Sequence, residues 1–154
     1  MTRFAILVLS INLLSCSESA PPSPAKSEVV AQVYGSHLNI EVAVADTPET
    51  GDLLPAMAAS IQQIGNQLKA GSLAQAETLE TASFHFRLTT KEPIATVDFD
   101  LQPLRALALG EGAATTFDAA RDIQVTGDPK GDRLMRDECD VAAEDVKTSM
   151  LCLS

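Results

Sequence analysis

The chain lacks tryptophan, has one tyrosine and contains only two histidines in 154 residues. It also lacks common catalytic motifs. Neither GxSxG nor HExxH occurs, and Gly110-Glu111-Gly112 is too sparse for a phosphate-binding loop. A core with so few aromatic residues is mainly aliphatic. The sequence therefore identifies no catalytic residue, no metal ligand set and no cofactor, and it does not favour an enzyme.

Basic residues are scarce as well. The chain has 11 Lys and Arg against 21 Asp and Glu, a formal net charge of −10. Nucleic acids and anionic membrane surfaces attract proteins that carry clustered positive charge. The charge balance therefore argues against nucleic acid as a partner.

No apolar run near the amino terminus is long enough to span a bilayer. Residues 4–14 read FAILVLSINLL, eleven residues behind the single charge of Arg3, whereas a transmembrane helix needs about 20. A basic residue followed by a short apolar region is typical of a secretory signal peptide. We therefore predict that residues 1–15 are a signal peptide and that the protein is exported.

The end of this leader, Leu13-Leu14-Ser15-Cys16, resembles the lipobox of bacterial lipoproteins. The resemblance implies cleavage before Cys16, a thioether-linked diacylglycerol on its sulfur and acylation of its new amino group. More than one lipid chain gives stable membrane attachment. Ser17 is not the aspartate that retains some lipoproteins in the inner membrane, so an outer-membrane anchor with the domain facing the periplasm is favoured. The alternative is an ordinary secretory signal that is cleaved elsewhere.

The mature chain divides by composition. Residues 16–36 are predicted to be the lipidated cysteine and a flexible tether, because a Ser- and Pro-rich run opens this segment. Residues 37–154 are long enough for one domain. Only Cys139 and Cys152 remain there, and an even pair in the oxidising periplasm predicts a disulfide. A metal pair is the alternative, but both histidines are far away in sequence.

Residues 37–45, 82–88 and 95–101 alternate apolar and polar side chains, which predicts three half-buried strands. Between the first two strands, Asp52 is predicted to cap a helix, and Gln62 is predicted to face water. The apolar residues of that helix recur at spacings of three and four: Leu53, Met57, Ile61, Ile64 and Leu68.

The second and third strands are predicted to form a hairpin. A loop at residues 90–93 places Phe84 opposite Phe99 and His85 opposite Asp98, so that inward residues meet inward residues. The resulting βαββ order predicts an α+β domain: a small antiparallel-rich sheet with helices packed on one face. Strands covered on both faces would instead read as continuous apolar runs.

The polar face of this sheet carries the candidate functional residues: His37, Glu41, His85, Arg87, Asp98 and Asp100. Histidine and carboxylate side chains bind metals or act as acid and base. A solvated face with cross-strand charge pairs is the simpler interpretation.

The leading hypothesis is a lipid-anchored, non-catalytic accessory or assembly subunit that binds another envelope protein. It rests on the leader and on the lack of a catalytic motif. One alternative is a protein that binds a small ligand or a metal through the polar sheet face. Another is a small hydrolase whose site is assembled from residues far apart in sequence.

Overall fold

The structure is a computed structural model that describes residues 28–45, 51–73 and 76–153. The predicted signal peptide, Cys16 and the predicted tether up to residue 27 lie outside these ranges. The strands are β1 (Glu28–Tyr34), β2 (His37–Val44), β3 (Thr81–Leu88), β4 (Pro93–Asp100) and β5 (Asp122–Val125). The helices are α1 (Leu53–Lys69), α2 (Leu101–Ala106), α3 (Ala113–Asp118), α4 (Pro129–Val141), α5 (Glu144–Lys147) and α6 (Met150–Leu153).

Strand β1 lies in the segment that was predicted to be tether. Tyr34 pairs with His37 across the two-residue turn of Gly35 and Ser36. Gly35 has a φ of +63°, and a glycine of positive φ in the first turn position is the type II′ arrangement that suits the twist of a hairpin. The prediction that the domain starts at residue 37 is therefore wrong, because it already includes Glu28.

The five strands form one mixed sheet in the order β1-β2-β3-β4-β5. Strands β2 and β3 are parallel and are connected through α1, whereas the other three pairs are antiparallel. The mixed α/β composition agrees with the prediction, but the order of elements is ββαββααβααα rather than βαββ. The buried residues of the helices and the inward residues of the strands form one core.

Helix α1 packs on the sheet through the predicted apolar stripe, and all five stripe residues are buried. At Gly65 the helix meets α2 so closely that an added Cβ would collide with the carbonyl oxygen of Leu104. Beneath α1, Phe84 contacts Phe99 edge to face, with ring centroids 5.7 Å apart. Such aromatic pairs add to the stabilisation that burial provides.

The register of the β3–β4 hairpin differs from the predicted one by two residues. Phe84 pairs with Val97, and Ser83 pairs with Asp98. Inward residues still meet inward residues, because side chains alternate with a period of two. Directly after Phe86 the register shifts by one residue, as at a β-bulge. One residue of β4, which is buried, is therefore left without a partner on β3.

Residues 127–132 contain two glycines and a proline, a composition typical of a turn, but helix α4 begins within them. The Asp128 carboxylate accepts hydrogen bonds from the main-chain N–H groups of Lys130 (3.0 Å) and Gly131 (3.2 Å) and so caps the helix. Near the other end of α4, Cys139 is bonded to Cys152 of α6, with their Cα atoms 5.7 Å apart. The structure therefore brings together the two cysteines that were predicted to pair.

Candidate functional site

The sheet has a second face, opposite the core, which we call the open face. Its residues align in cross-strand rows: Val30, Glu41, His85, Thr96 and Gln124 in one row, and Gln32, Asn39, Ser83, Asp98 and Asp122 in the next. Most of these side chains are half-exposed or exposed. The strands therefore present a broad polar surface rather than a cleft.

All six predicted site residues lie on this open face. The clearest contact among them joins β3 to β2: Arg87 Nε donates to Glu41 Oε2 at 3.2 Å, with the two side chains 30% and 44% exposed. An ion pair this accessible to water contributes about 0–1 kcal/mol. Its main effect is therefore to fix the positions of the two charges on the surface.

The two histidines are separated and contact threonines. His85 Nδ1 lies 3.2 Å from Thr96 Oγ1 on β4, and His37 Nδ1 lies 2.8 Å from Thr81 Oγ1 on β3. Glu41 is the cross-strand neighbour of His85 on β2. The histidines are thus half-buried polar groups with hydroxyl partners, and they do not meet at one point.

The predicted pairing of His85 with Asp98 is wrong. Asp98 accepts a hydrogen bond from the Ser83 hydroxyl, and Asp100 lies 3.3 Å from the guanidinium of Arg121. The two-residue difference in register explains this, because it moves Thr96 into the place opposite His85. The six residues consequently form a set of neighbouring pairs rather than one converging centre.

Negative charge dominates the open face. The acidic and basic residues that the strands place on this face are Glu28, Glu41, Arg87, Asp98, Asp100 and Asp122. Within the described ranges, no group of three or more His, Cys, Asp and Glu residues is placed to hold a metal ion. Beside the face, in the β3–β4 turn, a hydrogen bond from the Thr90 side chain holds the pKa of the Glu92 carboxyl below its ordinary value.

Two buried polar residues were missed by the sequence analysis, and both hold helix α1 in place. Glu138 of α4 is 3% exposed and accepts hydrogen bonds from the N–H groups of Gly51 (2.7 Å), Leu53 (3.1 Å) and Leu54 (3.5 Å). Its carboxylate thus caps the amino terminus of α1, where negative charge is favourable. Asp52, the predicted cap, makes no side-chain capping bond.

Gln62 was predicted to face water but is 3% exposed. Its amide donates to the Glu111 carbonyl (2.9 Å) and the Thr116 hydroxyl (2.8 Å), and its oxygen accepts from the Gly110 N–H (2.9 Å). These bonds fasten the loop after α2 and the helix α3 to α1. Gln62 is thus a structural residue, and nothing in its surroundings points to chemistry.

Comparison of the chain with protein-family models, with curated proteins and with solved structures finds no match. Among the described helices, none is both long enough and apolar enough to cross a membrane. Small molecules usually bind in concave, largely apolar pockets. The open face is mostly polar and so differs from such pockets.

Proposed function

We propose that this protein is a lipid-anchored, non-catalytic lipoprotein of the bacterial envelope, an accessory or assembly subunit that binds another envelope protein through the open face. One observation carries the proposal: a mostly polar surface extends across all five strands of a domain whose amino-terminal sequence resembles a signal peptide with a lipobox.

The anchor sets where the partner must lie. Twelve peptide bonds separate Cys16 from Glu28, the first residue of β1. A fully extended chain of that length reaches at most about 40 Å. A lipid on Cys16 would therefore hold Glu28, and with it the β1 edge of the domain, within that distance of the membrane surface.

The charge of the open face narrows the class of partner. Its five carboxylates outnumber Arg87 and the neighbouring Arg121, and the whole chain has a formal net charge of −10. Complementary charge raises association rates and disfavours wrong partners. A partner with a basic surface fits this pattern.

A second candidate function is metal or small-ligand binding on the same face. The observation that favours it is the neighbouring pair Glu41 and His85, which offers one carboxylate and one imidazole on adjacent strands. Two ligands are fewer than the three or four of a typical zinc site. This candidate therefore needs further ligands from the bound molecule or from elsewhere in the chain.

The test places a photoreactive amino acid at Thr96, near the centre of the open face, in the full-length protein in cells. The matched control places it at Gln63, which is exposed on α1. We expect one defined envelope protein to crosslink from Thr96 and not from Gln63. Charge reversal by Glu41→Lys should weaken that crosslink, because it replaces one of the carboxylates that a basic partner would meet with a positive charge. Equal crosslinking from both positions, or none from Thr96, would contradict the proposal.

A further inference from the structure

Strand β1 is an edge of the sheet. In the part of the chain that the structure describes, its one neighbouring strand is β2. Tyr34 and His37 flank a two-residue turn, so they form a hydrogen-bonded pair, and every second residue of β1 likewise directs its main chain toward β2. The N–H and C=O groups of Val29, Ala31 and Val33 consequently point away from the sheet.

This edge lacks the features that protect edge strands from pairing. Natural edges are usually short, bulged, or interrupted by lysine or proline. Strand β1 reads EVVAQVY, and it pairs with β2 over seven residues without a break in register. The opposite edge, β5, has only four residues and contacts α4 and α6.

The side chains of β1 are also unusually apolar for an edge. Val30 is 40% exposed and Tyr34 is 56% exposed, both on the open face. On the other face, Val29, Ala31 and Val33 pack against the core but remain partly exposed. A strand laid alongside β1 would cover apolar surface on both faces while pairing the outward main-chain groups.

We propose that β1 pairs with β1 of a second copy of this chain, antiparallel, about a two-fold axis at Ala31. Ala31 then faces Ala31 of the second copy, and Val29 faces Val33 of the second copy. Val29, Ala31 and Val33 are thus each part of a pair that exchanges two N–H to C=O hydrogen bonds with the second copy. The three pairs give six main-chain hydrogen bonds. The two five-stranded sheets join into one sheet of ten strands.

Within a pair of two copies, charge favours the antiparallel orientation over the parallel one. Glu28 is the one charged residue of β1. In the antiparallel pair Glu28 faces Tyr34 of the second copy, and the two Glu28 residues lie about 20 Å apart, well beyond the screening length of about 8 Å at physiological salt. A parallel pair would set the two carboxylates side by side.

The arrangement is closed, because each copy uses its β1 edge on the other. A dimer therefore forms rather than a fibre, and two open faces become one continuous surface. This inference rests on the β1 edge alone. It holds or fails independently of the envelope partner proposed above.

The first test introduces Ala31→Cys into the full-length protein in cells, followed by mild oxidation and non-reducing gel electrophoresis. Paired Cα atoms about 5.5 Å apart are within disulfide range, so we expect a product of twice the chain mass. The matched control is Glu28→Cys, whose counterpart would be too distant to bridge. Failure of Ala31→Cys to crosslink, equal crosslinking of both variants, or a product with another protein would each overturn the proposal.

The second test measures the molar mass of the purified full-length protein in detergent by analytical ultracentrifugation. We expect wild type and Glu28→Ala to be dimers and Ala31→Pro to be a monomer. Since the Ala31 N–H points outward, proline there should leave the fold intact, with a cooperative unfolding transition as in wild type. A monomeric wild type, or a folded Ala31→Pro that stays dimeric, would refute the second-copy pairing.

Discussion

Glu138→Ala is predicted to destabilise the domain more than any surface substitution. The Glu138 carboxylate is buried and accepts N–H groups from Gly51 and Leu53 at 2.7 and 3.1 Å. Alanine leaves these donors, and the more weakly bonded Leu54 N–H, without their acceptor at a buried helix end. Hydrogen bonds to a charged group contribute about 1.5–3 kcal/mol each, so we expect a loss of about 3–5 kcal/mol.

Three control variants test whether the loss of stability is specific to the charged carboxylate of Glu138. Glu138→Gln keeps an acceptor oxygen without the charge and should lose about 1–2 kcal/mol. Asp137→Ala, exposed on the same helix, should lie within about 0.5 kcal/mol of wild type. Asp52→Ala should also be close to neutral, whereas a true side-chain cap would lose about 1 kcal/mol.

The assay is urea unfolding of the mature chain, followed by far-UV circular dichroism. Two-state analysis gives the free energy of unfolding for each variant. If Glu138→Ala unfolds within about 1 kcal/mol of wild type, the buried carboxylate does not hold α1, and the reasoning from its hydrogen bonds fails.

The remaining predictions concern the disulfide, the core and the open face. The double variant Cys139→Ala/Cys152→Ala should lose about 3 kcal/mol, and non-reducing peptide mapping of protein from the periplasm should recover the linked pair; free thiols there would contradict it. Phe86→Ala should lose about 3–5 kcal/mol in urea unfolding because Phe86 is buried in the core. His85→Ala/Asp98→Ala removes two separate hydrogen bonds, to Thr96 and Ser83, and should lose about 1–3 kcal/mol, and a chelator should not lower the melting temperature; a drop of several degrees would favour a metal site.

The elements that were predicted correctly have strong periodicity. The alternation in β2, β3 and β4 and the three- and four-residue spacing in α1 each define one apolar side, and burial follows these sides in the structure. The common polar face of the six candidate residues follows from the same alternation. It does not depend on which residues pair across strands.

The register of the β3–β4 hairpin was not accessible from that pattern. A shift of two residues leaves every inward side chain opposite another inward side chain, so two registers satisfy the alternation equally. The conformation of the β3–β4 turn determines which of the two registers forms. Lys91 adopts a φ of +79°, where glycine or asparagine would have given a sequence signal, and the Leu88 N–H bonds to the Glu92 carbonyl at 2.8 Å.

Strand β1 was missed because both of its faces carry apolar residues and a Pro- and Ser-rich run precedes it. The informative signal is the pair Gly35-Ser36 between two extended segments, which favours a two-residue hairpin. Helix α4 was missed because only Gly131, Met135 and Glu138 are buried along it. A buried glutamate that caps another helix has no local sequence signature.

The most direct test of the proposed lipid anchor is the intact mass of the protein extracted from membranes, compared with that of Cys16→Ser. We expect a mass equal to residues 16–154 plus a diacylglycerol and one further acyl chain on Cys16, and we expect Cys16→Ser to be lost from the membrane fraction. An unmodified chain cleaved at another position, or a Cys16→Ser variant that sediments with membranes as wild type does, would contradict the lipoprotein assignment.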